Sequence, residues 1–270
     1  MIEAMYDLHC HILPAIDDGS KKLADSVEFA RLAASEGIHK VVATPHIRAG
    51  SYENTRGGIE ERLGELRKTL RDQAIDVEIV LGAEVYLSPD VVDGVIAGEL
   101  PTYGGSGKYF LFELPDFFMQ RQVEEYVFRL RTAGITPIIA HPERNPQLMN
   151  RREHLDNLVR MGSVLQITAM SVTGRFGKEA RKAADELLDR HLVHIVASDA
   201  HNTTSRPLKL REAYDHIAAK RGPEAAERLL VTNPRKVLEG EPLDADPGLD
   251  YEDEASGSKV TRFLSRLLGF

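Results

Sequence analysis

Cysteine is almost absent from this sequence: Cys10 is the only one among 270 residues. No disulfide can form within the chain, and this favours a reducing cytoplasm as its location. Long apolar runs are absent too. No stretch approaches the roughly 18 apolar residues of a membrane-spanning helix, and the N-terminus lacks the basic region and apolar core of a signal peptide. We therefore expect neither export nor a membrane span.

Basic residues are in deficit: 34 lysines and arginines face 42 aspartates and glutamates, so the formal net charge is −8. This charge argues against a nucleic-acid backbone or an anionic membrane surface as a partner. The length and the hydrophobic fraction of 42% are sufficient for one large domain or two small ones around a buried core.

Short apolar runs alternate with amphipathic segments through most of the chain. The runs predict seven strands, at residues 4–8, 38–43, 77–81, 109–112, 135–140, 163–167 and 193–197. The segments between them have helical spacing, and two further helices are predicted around 208–220 and 223–230. This alternation predicts a parallel sheet with helical crossovers, covered on both faces. Periodicity alone leaves open whether the sheet closes.

The composition changes after residue 240. Residues 241–258 are strongly acidic and predict an exposed linker. Residues 259–270 return to helical spacing, with apolar and basic side chains on opposite sides, and predict a short amphipathic helix. We expect this helix to dock on its own domain rather than on a membrane or a partner.

Possible metal ligands recur where the predicted strands end. His9 and His11 are two residues apart, so on an extended strand their side chains point to the same side. Because active-site residues of parallel barrels and sheets gather at the carboxyl ends of the strands, we expect the later candidates to converge with them. The full set has five histidines and four carboxylates: His9, His11, Asp18, His46, Glu84, Glu113, His141, Asp199 and His201.

This set offers more ligands than one ion needs, so it predicts two or three divalent metal ions. Imidazole and carboxylate without thiolate favour manganese, iron or zinc over calcium. Two neighbours, Asp17 and Glu143, are expected to cap or support the ligands rather than to bind metal.

Two arginines complete the predicted site. Arg144 and Arg206 each follow predicted ligands by a few residues, so both should reach the same face. A planar guanidinium makes paired hydrogen bonds to phosphate oxygens. Together with the metals, the two arginines predict a site for phosphoryl transfer.

Four motifs resemble those of the polymerase and histidinol phosphatase (PHP) superfamily. They are Asp7-Leu8-His9-Cys10-His11, Thr44-Pro45-His46, His141-Pro142-Glu143-Arg144 and Ser198-Asp199-Ala200-His201-Asn202. Two further stretches are similar to the bacterial manganese-dependent protein-tyrosine phosphatases of capsule and exopolysaccharide systems: His11-Ile12-Leu13-Pro14 followed by Asp17-Asp18-Gly19, and Gly82-Ala83-Glu84-Val85-Tyr86.

The resemblance implies an α/β fold, a distorted (β/α)7 TIM-like barrel (the PHP fold), in a domain of residues 1–240. It implies a trinuclear metal site, manganese first among the candidate ions, in which Asp18 rather than Asp17 binds metal. It also implies an enzyme that hydrolyses phosphotyrosine on the tail of a bacterial tyrosine kinase controlling exopolysaccharide or capsule synthesis. The acidic linker and the terminal helix lie outside the resemblance.

The predicted chemistry is metal-assisted hydrolysis. A water that ionises beside the metals attacks phosphorus in line, while Arg144 and Arg206 neutralise charge on the phosphate oxygens. Asp199 and His201 are the candidate acids for the leaving tyrosine oxygen. A covalent route through Cys10 is disfavoured, because Ile16 stands where thiol phosphatases have the arginine of their phosphate loop, and Cys10 should face away from the ligands.

Two alternatives remain from the sequence. A small-molecule phosphomonoesterase, such as a histidinol phosphatase, would share nearly every ligand. The aspartate turn before Gly19 and the loop at 115–118 favour phosphotyrosine, with Phe117 or Phe118 available to stack on a phenyl ring. A non-catalytic metal-binding interaction module is expected to have lost several ligands, whereas this chain retains the whole set.

Overall fold

Parallel strands form the centre of the fold within residues 4–244, the part of the chain that the computed structural model describes. The strands are β1 (Met5–Cys10), β2 (Ile38–Ala43), β3 (His46–Ile47), β4 (Glu78–Leu81), β5 (Glu84–Tyr86), β6 (Tyr109–Glu113), β7 (Thr136–Ala140), β8 (Val164–Thr168) and β9 (Ile195–Ala197). They pair in the orders β1-β2-β4 and β3-β5-β6-β7-β8-β9, and every pairing is parallel.

Two strands of this sheet are interrupted. Thr44 and Pro45 separate β2 from β3, and Gly82 and Ala83 separate β4 from β5. Pro45 has no N–H for a ladder hydrogen bond, and a Cβ on Gly82 would lie 2.5 Å from Cγ1 of Val42. β2 pairs with β4 and β3 pairs with β5, so the two interrupted strands are neighbours on both sides of their breaks. The nine strands therefore make seven barrel members.

The first and last strands meet. The Asp199 N–H donates to the His9 carbonyl at 2.8 Å, and the His11 N–H donates to the Ala200 carbonyl at 2.9 Å. Each of the seven members contributes at least one apolar side chain to a single cluster inside the ring, which includes Leu8, Val42, Val80, Leu111, Ile138, Val164 and Ile195. The sheet therefore closes, and the distorted (β/α)7 barrel implied by the resemblance is confirmed.

Helices surround this ring. They are α1 (Leu23–Ser35), α2 (Arg56–Asp72), α3 (Val91–Ile96), α4 (Gln120–Thr132), α5 (Pro146–Asn150), α6 (Arg152–Arg160), α7 (Ala169–Thr173), α8 (Lys178–Asp189), α9 (Arg211–Arg221), α10 (Pro223–Glu227) and α11 (Asn233–Glu239). In α2 the Thr55 side chain accepts from the Gly58 N–H as an N-cap, and Ile59, Leu63 and Leu66 are buried at helical spacing. Such faces build a second apolar layer between helices and strands, which also contains Cys10.

The structure departs from the predicted pattern near the end of the barrel. The single helix predicted at 223–230 is instead α10 followed by a π turn at Arg228–Thr232 and by α11, which periodicity did not predict. Val237 of α11 and Tyr109, the first residue of β6, both belong to the cluster inside the ring. Apolar side chains therefore close the amino end of the barrel and leave the carboxyl end for polar groups.

Within residues 4–244 no helix is both long and apolar enough to cross a membrane. The predicted helix at 259–270 and all but residues 241–244 of the predicted acidic linker lie outside the described residues. The division into domain, linker and helix therefore stays a prediction.

Candidate metal centre

The turn after β1 brings the first two histidines together. His9 and His11 are fully buried, and their Nε2 atoms are 3.2 Å apart. The chain then doubles back, because the Ser20 N–H donates to the His11 carbonyl at 3.0 Å. Gly19 permits this close return: a Cβ there would lie 2.2 Å from the His11 carbonyl oxygen. Asp17, on the same turn, has its Oδ2 2.8 Å from His11 Nδ1.

Three groups of potential donor atoms lie at the carboxyl end of the barrel, and within each group the atoms are within 4.8 Å of one another. The first contains His11, Asp18, His46 and His201, the second His9, His11 and Glu84, and the third His46, Glu84 and Glu113. Each pair of groups shares one residue. The three groups therefore form one continuous centre.

The two remaining predicted ligands adjoin these groups. His141 Nε2 is 2.7 Å from Glu84 Oε1, and Asp199 Oδ1 is 3.5 Å from Nε2 of both His9 and His11. His141 and Asp199 have left-handed backbones, with φ values of 34° and 52°. Such backbones cost free energy in non-glycine residues and cluster at functional sites. The structure thus brings together all nine side chains, here called the candidate metal centre; their role as ligands stays a prediction.

Both predicted arginines reach this centre through Asp199. Nη2 of Arg144 is 2.6 Å and Nη2 of Arg206 is 2.7 Å from the same oxygen, Oδ2 of Asp199. The Asn202 side chain accepts from the Arg206 N–H and so shapes the turn that returns Arg206 to the site. The ring of Phe176 lies beneath both guanidinium groups. Together these contacts place two cations at one edge of the centre.

Charges in the centre are strongly coupled. Burial opposes ionisation of Glu84, but the imidazoles of His9 and His141 outweigh burial and hold the pKa of this carboxyl well below its usual range. Burial likewise opposes ionisation of Asp199, and Arg144 outweighs it, so the pKa of Asp199 is also well below its usual range. Burial lowers the pKa of His46 to about 4. Burial lowers the pKa of His11, but Asp17 outweighs burial and raises it well above its usual range. Since ionised carboxylates and neutral imidazoles are the forms that bind metal, His11 must lose a proton when a metal binds.

The donor atoms fit divalent ions better than they fit one another. Nδ1 of His46 and Oε2 of Glu84 are buried, 3.2 Å apart, and neither has a hydrogen-bond partner. Lone pairs of His9, His11 and Glu84 also converge within the second donor group. A cation between such atoms satisfies them, and mixed imidazole and carboxylate sets suit transition-metal ions.

Some residues that contact the centre could be predicted only weakly from the sequence, or not at all. Nε2 of Gln166 in β8 lies 2.8 Å from Nδ1 of His9. The only sequence signal for Gln166 is that it is a polar residue inside an apolar run. Glu143 accepts from the Thr168 N–H at the end of β8 and from the Ser171 hydroxyl of α7, and its expected support of the ligands stays a prediction. Phe176 belongs to no motif, and its position was not predictable.

A closed parallel barrel with an imidazole–carboxylate centre at the carboxyl ends of its strands is an architecture of metal-dependent hydrolases. The sequence model of the family described as capsular polysaccharide synthesis, CpsB/CapC, matches residues 5–239. The chain therefore belongs to the CpsB/CapC family. The match confirms the resemblance carried by the four motifs.

Relatives in this family are similar over nearly their whole length. The tyrosine-protein phosphatase YwqE of Bacillus subtilis is 35% identical over 243 residues, covering 90% of this chain and 95% of the relative. The tyrosine-protein phosphatase CpsB of Streptococcus pneumoniae is 36% identical over 239 residues, covering 87% and 98%. A solved structure from a report on YwqE of Bacillus subtilis and CpsB of Streptococcus pneumoniae, described there as metal-dependent tyrosine phosphatases, superposes with a TM-score of 0.86 at 35% identity. The superposition covers 90% of this chain and 98% of that one.

The barrel is also shared with distant proteins. A β-aspartyl dipeptidase of Fervidobacterium islandicum AW-1 superposes with a TM-score of 0.52 at 13% identity, over 88% of this chain and 74% of that one. At this identity the likeness concerns the fold alone.

Proposed function

We propose that this chain is a metal-dependent protein-tyrosine phosphatase of a bacterial capsule or exopolysaccharide system. The observation that carries the proposal is the continuity of three donor groups that share His11, His46 and Glu84, beside two arginines on Asp199. The family and the names of its similar members support the same activity.

The nine residues of the candidate metal centre would hold two or three divalent ions, for which manganese is our first choice and iron and zinc are the alternatives. Imidazole and carboxylate together suit all three ions. When bound, such ions supply a water that ionises near neutral pH and positive charge opposite the phosphate oxygens.

The chain itself binds and orients the phosphate. Arg144 and Arg206 line a cavity of about 230 Å³ together with the exposed edge of the centre. Their guanidinium groups are fixed by Asp199 and are pre-organised to meet phosphate oxygens, which lowers the cost of ordering them on binding. Asp199 fits this holding role better than proton donation, because Arg144 outweighs burial and holds the pKa of its carboxyl well below the usual range.

The leaving group places few demands on the site. A tyrosine oxygen has a pKa near 10 in water, so it departs more readily than an alkoxide. His201 remains the candidate proton donor, and only a small contribution to the rate is required of it. This argument favours phosphotyrosine over an alkyl phosphate such as histidinol phosphate.

The physiological substrate we propose is phosphotyrosine on the tail of a bacterial tyrosine kinase, met in the cytoplasm. The family description, capsular polysaccharide synthesis, supports this system. The net charge of −8 gives no support to a nucleic-acid substrate.

The test is hydrolysis of a phosphotyrosine peptide and of histidinol phosphate by protein stripped of metal and then supplied with manganese, iron or zinc. We expect peptide hydrolysis that requires metal and is lost in His141→Ala. The matched control is His39→Ala, a histidine on an exposed position of β2. Preference for histidinol phosphate would overturn the substrate, and metal binding without hydrolysis of either compound would favour an interaction module.

A further inference from the structure

The loop between β6 and α4 presents large apolar side chains to solvent at the mouth of the cavity. Phe117 is 87% exposed and Met119 is 72% exposed. Among the described residues, the other exposed large hydrophobic side chains are Ile96 and Phe128, at 46% and 41%. The two most exposed members of this group are therefore two residues apart in one loop.

This loop is held in place by hydrogen bonds. The Asn145 side-chain amide donates to the Pro115 carbonyl at 3.0 Å. The Gln147 side chain accepts from the Phe118 N–H at 3.0 Å and donates to the Phe118 carbonyl at 2.8 Å. The Phe118 ring packs against His154, with centroids 5.9 Å apart. Phe117 and Met119 thus project from an anchored segment, and their ordering cost on binding is reduced.

The loop is continuous with the phosphate cavity. Leu114 and Asp116 line that cavity together with Arg144 and Asp199, whereas Phe117 and Phe118 do not line it. Stacking of Phe117 or Phe118 on the phenyl ring, considered from the sequence, therefore has no support from the cavity walls. A phosphotyrosine whose phosphate reaches the arginines must leave its neighbouring residues outside the cavity, on the side where the loop that carries Phe117 and Met119 forms part of the wall.

We propose that Phe117 and Met119 form a docking surface for an apolar side chain that flanks the phosphotyrosine of a polypeptide substrate. This inference rests on the proposed function and adds to it a preference for an apolar residue beside the phosphotyrosine. Exposed apolar side chains gain free energy when a partner covers them, and exposed apolar groups beside a site mark interaction surfaces. A free phosphotyrosine reaches the cavity but not the docking surface.

The experiment compares Phe117→Ser/Met119→Ser with the unchanged protein, both loaded with manganese. Three substrates are used: a phosphotyrosine peptide with leucines on both sides, the same peptide with serines there, and free phosphotyrosine. For the leucine peptide we expect kcat/KM to fall about tenfold, the loss that follows from uncovering one or two apolar contacts. For the serine peptide and free phosphotyrosine we expect no change. The matched control is Ile96→Ser/Phe128→Ser, which should behave as the unchanged protein on all three substrates.

Each other outcome overturns the docking surface. An equal loss on free phosphotyrosine would assign the loop to support of the catalytic centre. No loss on the leucine peptide would leave the two side chains without a role in substrate binding. A lower molar mass of the double variant in light scattering, with no selective loss on the leucine peptide, would make the surface a contact between copies of the chain. Absence of hydrolysis by the unchanged protein would remove the proposed function first, and the docking surface with it.

Discussion

The guanidinium carbon of Arg144 lies 5.0 Å from the centroid of the Phe176 ring, and that of Arg206 lies 5.6 Å from the same centroid. One aromatic ring thus contacts both arginines that hold Asp199. The electron-rich face of a ring attracts cations and restricts where they lie. Phe176 therefore restricts the positions of the two arginines that we propose to bind phosphate.

Replacing Phe176 by alanine should weaken phosphate binding without removing metal. From the usual strength of cation–π contacts we expect KM for a phosphotyrosine peptide and the inhibition constant of inorganic phosphate to rise about threefold to tenfold. Phe176→Tyr keeps the ring and should behave as the unchanged protein. Steady-state kinetics with phosphate as competitor measures both quantities. A fall in kcat alone, with unchanged phosphate inhibition, would contradict the positioning role.

Gly19→Ala should displace the turn that carries Asp17 and Asp18. Its Cβ would lie 2.2 Å from the His11 carbonyl oxygen and 2.4 Å from the His11 Cβ, so the backbone must move. Overpacking of this kind costs about 1–3 kcal/mol of unfolding free energy, and we also expect weaker manganese binding. Chemical denaturation and calorimetric titration measure the two effects.

Gly64→Ala is the matched control for that variant. Gly64 lies inside α2, and nothing lies within 4 Å of the position its Cβ would take. Alanine has the higher helix propensity, so this change should leave metal binding intact and stabilise the fold by up to about 1 kcal/mol. Equal effects of the two substitutions on metal binding would show that the Gly19 contact is not the cause.

Gln166 should tune the affinity of the centre for metal through His9. Its amide lies 2.8 Å from His9 Nδ1, while its buried Oε1 has no hydrogen-bond partner. A half-turn of the Gln166 amide about its last side-chain torsion exchanges Nε2 and Oε1. Oε1 then accepts a hydrogen bond from protonated Nδ1 of His9, and in this tautomer Nε2 of His9 is free to bind a metal. Loss of such a partner lowers metal affinity about 10–100-fold. We expect this from Gln166→Leu in titration of metal-stripped protein, and unchanged affinity would refute it.

Asp185 should contribute to stability in a pH-dependent way. It accepts from Lys220 at 2.9 Å and Arg221 at 3.1 Å. Burial opposes its ionisation, but these hydrogen bonds outweigh burial and lower its pKa below 3.8. A lowered pKa means that the stabilisation is present above the unfolded pKa and is lost as the pH falls through the folded pKa.

Asp185→Asn should therefore lower the unfolding free energy at neutral pH by up to about 1 kcal/mol, the usual worth of an exposed ion pair. The difference from the unchanged protein should shrink once the pH falls below 3.8. Thermal unfolding at several pH values measures it. Asp189→Asn, which removes a more exposed partner of Arg221, should have a smaller effect. A difference that grows in acid would contradict the assignment.

Much of the candidate site was predictable because its polar residues directly follow the apolar runs that form the strands. His46 and Glu84 follow apolar runs, and both prove to begin short strands, β3 and β5, beyond the breaks at Pro45 and Gly82. The breaks themselves were not predicted as strand interruptions. They depend on how closely β2 and β4 approach each other, a distance that periodicity does not encode.

Contacts between β1 and the end of β9 could not be predicted from the sequence. Asp7 accepts from the Ser198 N–H at 2.9 Å across 191 positions of sequence, and this contact exists only because the barrel closes. Likewise Arg144 and Arg206 share one carboxylate oxygen of Asp199. The sequence indicated that both arginines face the site, but it did not indicate that they share a partner or a ring.

The order of residues along the chain was sufficient to establish an alternating α/β fold, the identity of the polar groups at its strand ends and the family to which they belong. These properties are local, since they depend on spacing within a strand, a turn or a motif. Closure of the ring, the sharing of His11, His46 and Glu84 among donor groups and the exposure of Phe117 beside the cavity were decided only by folding. They depend on distances between segments far apart in the chain, and packing sets those distances.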